Sequence, residues 1–140
     1  MTPRERAIAA LNKQKPDGLV PHLELEFQLS EELLGMPALR REHLEGIAGA
    51  RRQDLLKRNA EHWVEVARRF GWSVITGLHW LEGEDQIRSF EYIREVAGHT
   101  YMVSAFADGT FAIPDGSNMM EQAAYFTEEK ERALEEAHQN

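Results

Sequence analysis

Cysteine is absent from the 140 residues, so disulfides, thiolate nucleophiles and cysteine-ligated zinc or iron–sulfur centres have no donor here. Long apolar runs are lacking too, since a transmembrane helix needs ~20 consecutive apolar residues and no stretch of this sequence approaches that. The opening Met1-Thr2-Pro3-Arg4-Glu5 reads as a helix start, not as a basic and then apolar leader. A cytosolic (cytoplasmic) protein without membrane attachment is expected. Positive charge is the scarce sign: 16 Lys and Arg face 24 Asp and Glu, a formal net charge of −8. That balance works against extended contact with phosphate backbones, and no nucleic-acid partner is expected. Phosphate-loop and dinucleotide signatures are missing, because the glycines of Gly46-Ile47-Ala48-Gly49 and of 77–83 lack the strand–loop–helix setting. No serine sits in a GxSxG elbow.

What is present suits one domain with a sizeable core, with 42% hydrophobic and 29% charged residues. Thr2, Pro3 and Glu5 form a capping box that predicts a first helix, which Lys15-Pro16-Asp17-Gly18 ends. Segment 19–27 alternates, with Leu23, Leu25 and Phe27 on one side and His22, Glu24 and Glu26 on the other, as a half-buried strand does. Ser30 is expected to cap a helical turn through Leu34, closed by Gly35 and Pro37. The clearest helix spans 54–70, with Asp54 as its expected cap, an apolar stripe of Leu56, Ala60, Trp63, Ala67 and Phe70, and Gly71 as its stop.

Segment 73–78 then reads as a buried strand. A second helix over 86–97 carries Ile87, Phe90, Ile93 and Ala97 and stops at Gly98, and 100–107 follows as a third strand. Thr127 is expected to cap an acidic tail helix. Strands alternating with helices predict an α/β fold whose three extended segments pair in parallel, with no internal domain boundary. Such a sheet leaves open edges that need cover or a partner, as at the start of a larger fold.

Three stretches carry a family likeness. MTPRERAIAALNKQKPDGLVP resembles the opening of the uroporphyrinogen decarboxylase superfamily, which includes corrinoid-dependent methyltransferases. AEHWVEVARRFGWSVITG resembles its helix leading into an early barrel strand, and REVAGHTYMVSAFADGTFAIPDG a later stretch of the methyltransferase-like branch. The resemblance implies that residues 1–140 form the amino-terminal part of a TIM (β/α)₈ barrel, a truncated relative inactive alone. It also implies a corrinoid protein as partner, and corrinoid or zinc as the cofactor of a complete homologue. True decarboxylases carry an arginine-rich motif where Leu25-Glu26-Phe27-Gln28 stands here, and an essential Asp where Gly77-Leu78 precedes His79. A carboxylate cannot replace a guanidinium fork that holds substrate carboxylates, so decarboxylation is not expected and the methyltransferase-like branch fits better.

Barrel enzymes place their chemistry at the carboxyl ends of strands. Glu24, Glu26, His79 and Asp108 are therefore the candidate substrate-binding residues. Each also has a plain structural reading: solvated strand face for the glutamates, loop histidine for His79, turn former for Asp108 before Gly109. His22 is a lesser candidate. His99 precedes its strand and belongs to the opposite rim, and the scattered histidines define no metal site. The alternative to an enzyme piece is a small non-catalytic α/β module for oligomerisation or ligand binding. In either case open sheet edges and a helix bearing Met119, Met120, Ala123 and Phe126 predict a homo-oligomer, most simply a dimer.

Overall fold

A computed structural model of the chain describes residues 1–76, 80–105 and 118–139. By internal contacts the chain divides into two compact units, Met1–Phe106 and Ala107–Asn140. The first is a mixed α/β unit built on a two-stranded parallel sheet.

Helix α1 (Pro3–Leu11) opens as its sequence requires. Thr2 Oγ1 accepts from the Glu5 amide and the Glu5 carboxylate accepts from the Thr2 amide, satisfying two amides that no helical turn can reach. A short helix α2 (Ser30–Leu34) ends at Gly35 in the left-handed region. Ser30 does not cap it. Leu29 occupies the cap position, and Ser30 lies inside the first turn with its hydroxyl buried.

The long helix α3 (Gly49–Phe70) begins five residues before the expected start. Asp54 is therefore interior, and its carboxylate pairs with Arg58 at i,i+4. Helix α4 (Gly83–Ala97) packs on α3, and it turns Ser89, Ile93 and Ala97 inward rather than Ile87, which is exposed. Ser89 is small enough to let the helices approach, and its hydroxyl lies 3.4 Å from Asn59 Nδ2. Asn59 in turn accepts from the Leu39 amide at 3.0 Å, which ties the 38–44 loop to the helix pair.

Between and after these helices run β1 (Val74–Ile75) and β2 (Met102–Val103), parallel, with Val74 opposite Met102 and Ile75 opposite Val103. Two further bonds extend the pairing, Met102 N to Ser73 O at 3.0 Å and Ser104 N to Ile75 O at 3.1 Å. The helix between them makes a β1–α4–β2 unit, as parallel strands require. The core gathers on the same elements: Ala60, Trp63, Val66 and Ala67 of α3 meet Trp72, Ile75 and Ile93. Trp63 and Trp72 stack with ring centroids 6.3 Å apart, and Phe27 meets both edge-on.

The expected first strand is not one. Segment 19–27 is irregular chain joined to β1 by the His22 carbonyl, which accepts from the Ser73 amide at 2.7 Å. Alternation alone could not make a strand here. Among the described residues nothing covers Leu23 and Leu25, which remain exposed, while Pro21 has no amide to donate. Only Phe27 reaches the core.

In the second unit, α5 (Met119–Glu128) is followed by α6 (Lys130–Gln139), whose Ala133 is buried. Thr127 does not cap α6; its hydroxyl donates back to the carbonyls of Ala123 and Ala124 inside α5. Among the described residues no helix is long and apolar enough to cross a membrane.

Candidate functional site

Two of the four sequence candidates, His79 and Asp108, fall outside the described residues. Glu24 is exposed and partners His22, Nε2 to Oε1 at 3.2 Å, with both side chains about half exposed. The His22 ring in turn meets Trp72 edge-on at 6.5 Å. Glu26 is exposed and has no ion-pair partner among the described residues. The two glutamates thus have different surroundings, Glu24 beside His22 and Glu26 in solvent.

A different group of residues does converge. Phe27, Ser30, Glu31, Ala38, Arg40 and Trp80 line a small pocket of about 80 Å³. The Arg40 guanidinium lies over the Trp80 ring, 4.4 Å from its centroid, a cation–π contact worth about 0.5–1 kcal/mol where solvent reaches it. The Arg41 amide donates to the Trp80 carbonyl at 3.0 Å and fixes the loop that carries both arginines. The Ser30 hydroxyl is buried against this pocket with no partner among the described residues. An arginine, a hydroxyl and an indole stand there beside Glu31 and Glu32, and among the described residues no base is bonded to the Ser30 hydroxyl.

Sequence reading missed this group because its members are distant in the chain. Arg40 reads as a solvated face until Trp80, forty residues on, is folded beneath it.

His62 was also missed. It sits on α3 with its ring edge-on to Trp63 at 5.6 Å, only 4% exposed, and both ring nitrogens are without partners among the described residues. Burial pushes its pKa below the ordinary 6.5, since charging the ring costs its desolvation. It edges a pocket of about 500 Å³ with Leu34, Met36, Arg58, Glu61, Glu65 and Arg69. Along the chain, His62 stands next to the stripe that predicts α3, so helical periodicity places it beside the core rather than in it.

Among the described residues no three His, Asp or Glu side chains stand together as a metal-ligand set. They therefore supply no complete ligand set for the zinc that the family likeness implies for a complete homologue. No family model matches this chain, and neither a curated protein nor a solved structure does.

Proposed function

We propose that this chain is the amino-terminal portion of a uroporphyrinogen decarboxylase-like (β/α)₈ barrel, nearer the corrinoid methyltransferase-like branch. In this reading it supplies scaffold and one rim of a binding site rather than a complete catalytic centre. The observation that carries it is the β1–α4–β2 unit: two parallel strands in one-to-one register, joined by a helix and preceded by α3. This is the repeating unit of such a barrel, and it lies where the family-like stretches stand in the sequence. The His22 carbonyl, which accepts from the amide of Ser73 just before β1, supports this reading by tying segment 19–27 to the start of that strand. Exposed Leu23 and Leu25 are then apolar positions awaiting the neighbours that further barrel units provide.

Decarboxylation of porphyrinogens is outside this role. Glu26, which is exposed, stands near the position where the family likeness expects a substrate-binding arginine. Self-association as a dimer is part of the proposal, since Met119 and Met120 of α5 present exposed apolar side chains. The purified chain incubated with reduced uroporphyrinogen is expected to show no saturable turnover, and light scattering across a concentration series is expected to give twice 16.1 kDa. Turnover that depends on the protein would refute the scaffold role, and a constant monomer mass would refute the dimer.

A further inference from the structure

Alongside β2, where the α4–β2 turn meets the first turn of α1, the structure holds a second concave surface of different character, and Met102 and Val103 form part of its wall. Arg4, Arg94, His99 and Tyr101 line a pocket of about 450 Å³ around Gly98. Three parts of the chain meet there. The Arg4 amide donates to the Thr100 carbonyl at 2.9 Å, which pins the first turn of α1 onto the turn between α4 and β2. Gly98 ends α4, and its amide donates to the Arg94 carbonyl at 2.9 Å.

Charge sets this pocket apart. Among the described residues no carboxylate lines it, and neither Arg4 nor Arg94 is ion-paired, although the chain carries a net charge of −8. Arginines nearby on α3 and α4 are paired: Arg88 holds Glu91 at 2.5 Å, and Arg68 and Arg69 share Glu65 at 2.7 and 2.8 Å. Arg94 has an ordinary explanation, since a cation in the last turn of a helix complements the macrodipole. Arg4 has none of that kind. It stands in the first turn of α1, at the positive end of the dipole, where a cation is disfavoured. The carboxyl end of α4 contributes roughly half a negative charge, which two guanidinium groups outweigh.

We propose that this pocket binds a small phosphomonoester. Arg4 and Arg94 approach its oxygens from two helices as planar forks, the geometry that suits a phosphate better than ammonium groups do. His99 adds a ring N–H donor, and the Tyr101 ring lines the recess that takes the organic part of the ester. The proposal stands independently of the barrel reading.

Titration of the whole chain with inorganic phosphate, glycerol 3-phosphate and succinate, followed by amide NMR shifts and calorimetry, is the test. Saturable binding of glycerol 3-phosphate is expected, with shifts centred on residues 4, 94 and 98–101, competition by phosphate, and weaker binding of succinate. Arg4→Gln and Arg94→Gln should each weaken it about tenfold, the loss expected for a charge-assisted hydrogen bond. Arg58→Gln, remote from this pocket, should leave binding unchanged. Both tested side chains are exposed and unpaired, so the variants should keep the parent melting midpoint, which is measured alongside. Absence of saturable binding, or unchanged affinity in the folded double variant, would overturn the proposal. Succinate binding as tightly as the ester would overturn the phosphate assignment.

Discussion

Arg52 and Asp85 join the two long helices through a two-point contact: Arg52 Nε donates to Asp85 Oδ1 at 2.8 Å and Nη2 donates to Oδ2. The remaining donor of the same guanidinium, Nη1, reaches the carbonyls of Leu44 and Ile47 at 2.9 and 2.7 Å. One side chain thus fastens α4 and the 44–47 loop to α3. Its partners are more sheltered than those of a typical surface pair, with Arg52 32% and Asp85 21% exposed against 71% and 70% for Arg41 and Glu82. Exposed pairs contribute little because water and salt screen them. Arg52→Ala is therefore expected to lower the urea midpoint clearly, whereas Arg41→Ala should leave it almost unchanged. Arg52→Lys should recover only part of the loss, since an ammonium cannot make the forked contact. Equal effects at positions 41 and 52 would contradict this account of the helix pair.

The buried His62 ring makes stability depend on pH in a definite direction. Burial lowers its folded-state pKa below 6.5, so in the interval below 6.5 the unfolded chain binds more protons than the folded one. Stability is then full above 6.5 and falls as pH drops through that interval. Glu65, one turn along α3, does not titrate there, because hydrogen bonds from Arg68 and Arg69 hold its carboxyl down from 4.5 to about 2. His62→Leu should flatten the stability profile just below pH 6.5. It should also raise stability at neutral pH by about 1 kcal/mol, the lower end of the cost of an unpaired buried polar group. Denaturation midpoints across that range for both proteins provide the check.

Trp63 and Trp72 are each only 1% exposed and form the centre of the core. Trp63→Ala removes the surface against which Phe27, Trp72 and His62 all rest, and should cost about 3–5 kcal/mol, as large-to-small aromatic replacements in cores do. Phe27→Ala should cost less, because that side chain is only partly buried. Chemical denaturation read by tryptophan fluorescence and by circular dichroism would establish the order.

Gly71 closes α3 with φ +65°, and a Cβ built there meets no atom within 4 Å. Any cost of Gly71→Ala therefore comes from the backbone alone, roughly 1–2 kcal/mol for an L-residue held in the left-handed region. Gly71→Asn should recover part of it, since asparagine tolerates that region better. A thermal melt of the three proteins separates the strain from any packing effect.

Features set by short-range chemistry were legible in the sequence. The capping box of Thr2 and Glu5, the stops at Gly35, Gly71 and Gly98, and the α3 stripe of Leu56, Ala60, Trp63 and Ala67 can all be read from neighbouring residues, although Phe70, expected in that stripe, is exposed at the last turn of the helix. The parallel pairing of the second and third extended segments follows from the alternation of strands with helices. Caps were misplaced where a suitable residue was not at the boundary: Asp54 found an i,i+4 arginine instead, and Thr127 bonded back into its own helix. Segment 19–27 failed as a strand because a strand depends on partners that its own residues do not encode. The site was less legible than the fold. Of the candidate residues that are described, Glu24 took a local histidine and Glu26 stayed in solvent, whereas the groups that converge, Arg40 with Trp80 and Arg4 with Arg94, are far apart in the chain.

The central claim is that these strands are units of a barrel. Mixing the chain with a polypeptide that carries the later βα units of a uroporphyrinogen decarboxylase-like barrel tests it most directly. Sedimentation and light scattering should then reveal a one-to-one complex, and hydrogen exchange should slow along segment 19–27 and β2, where new neighbours would dock. If the two polypeptides sediment separately and exchange at those positions is unchanged, the chain is not a barrel portion and the account is wrong.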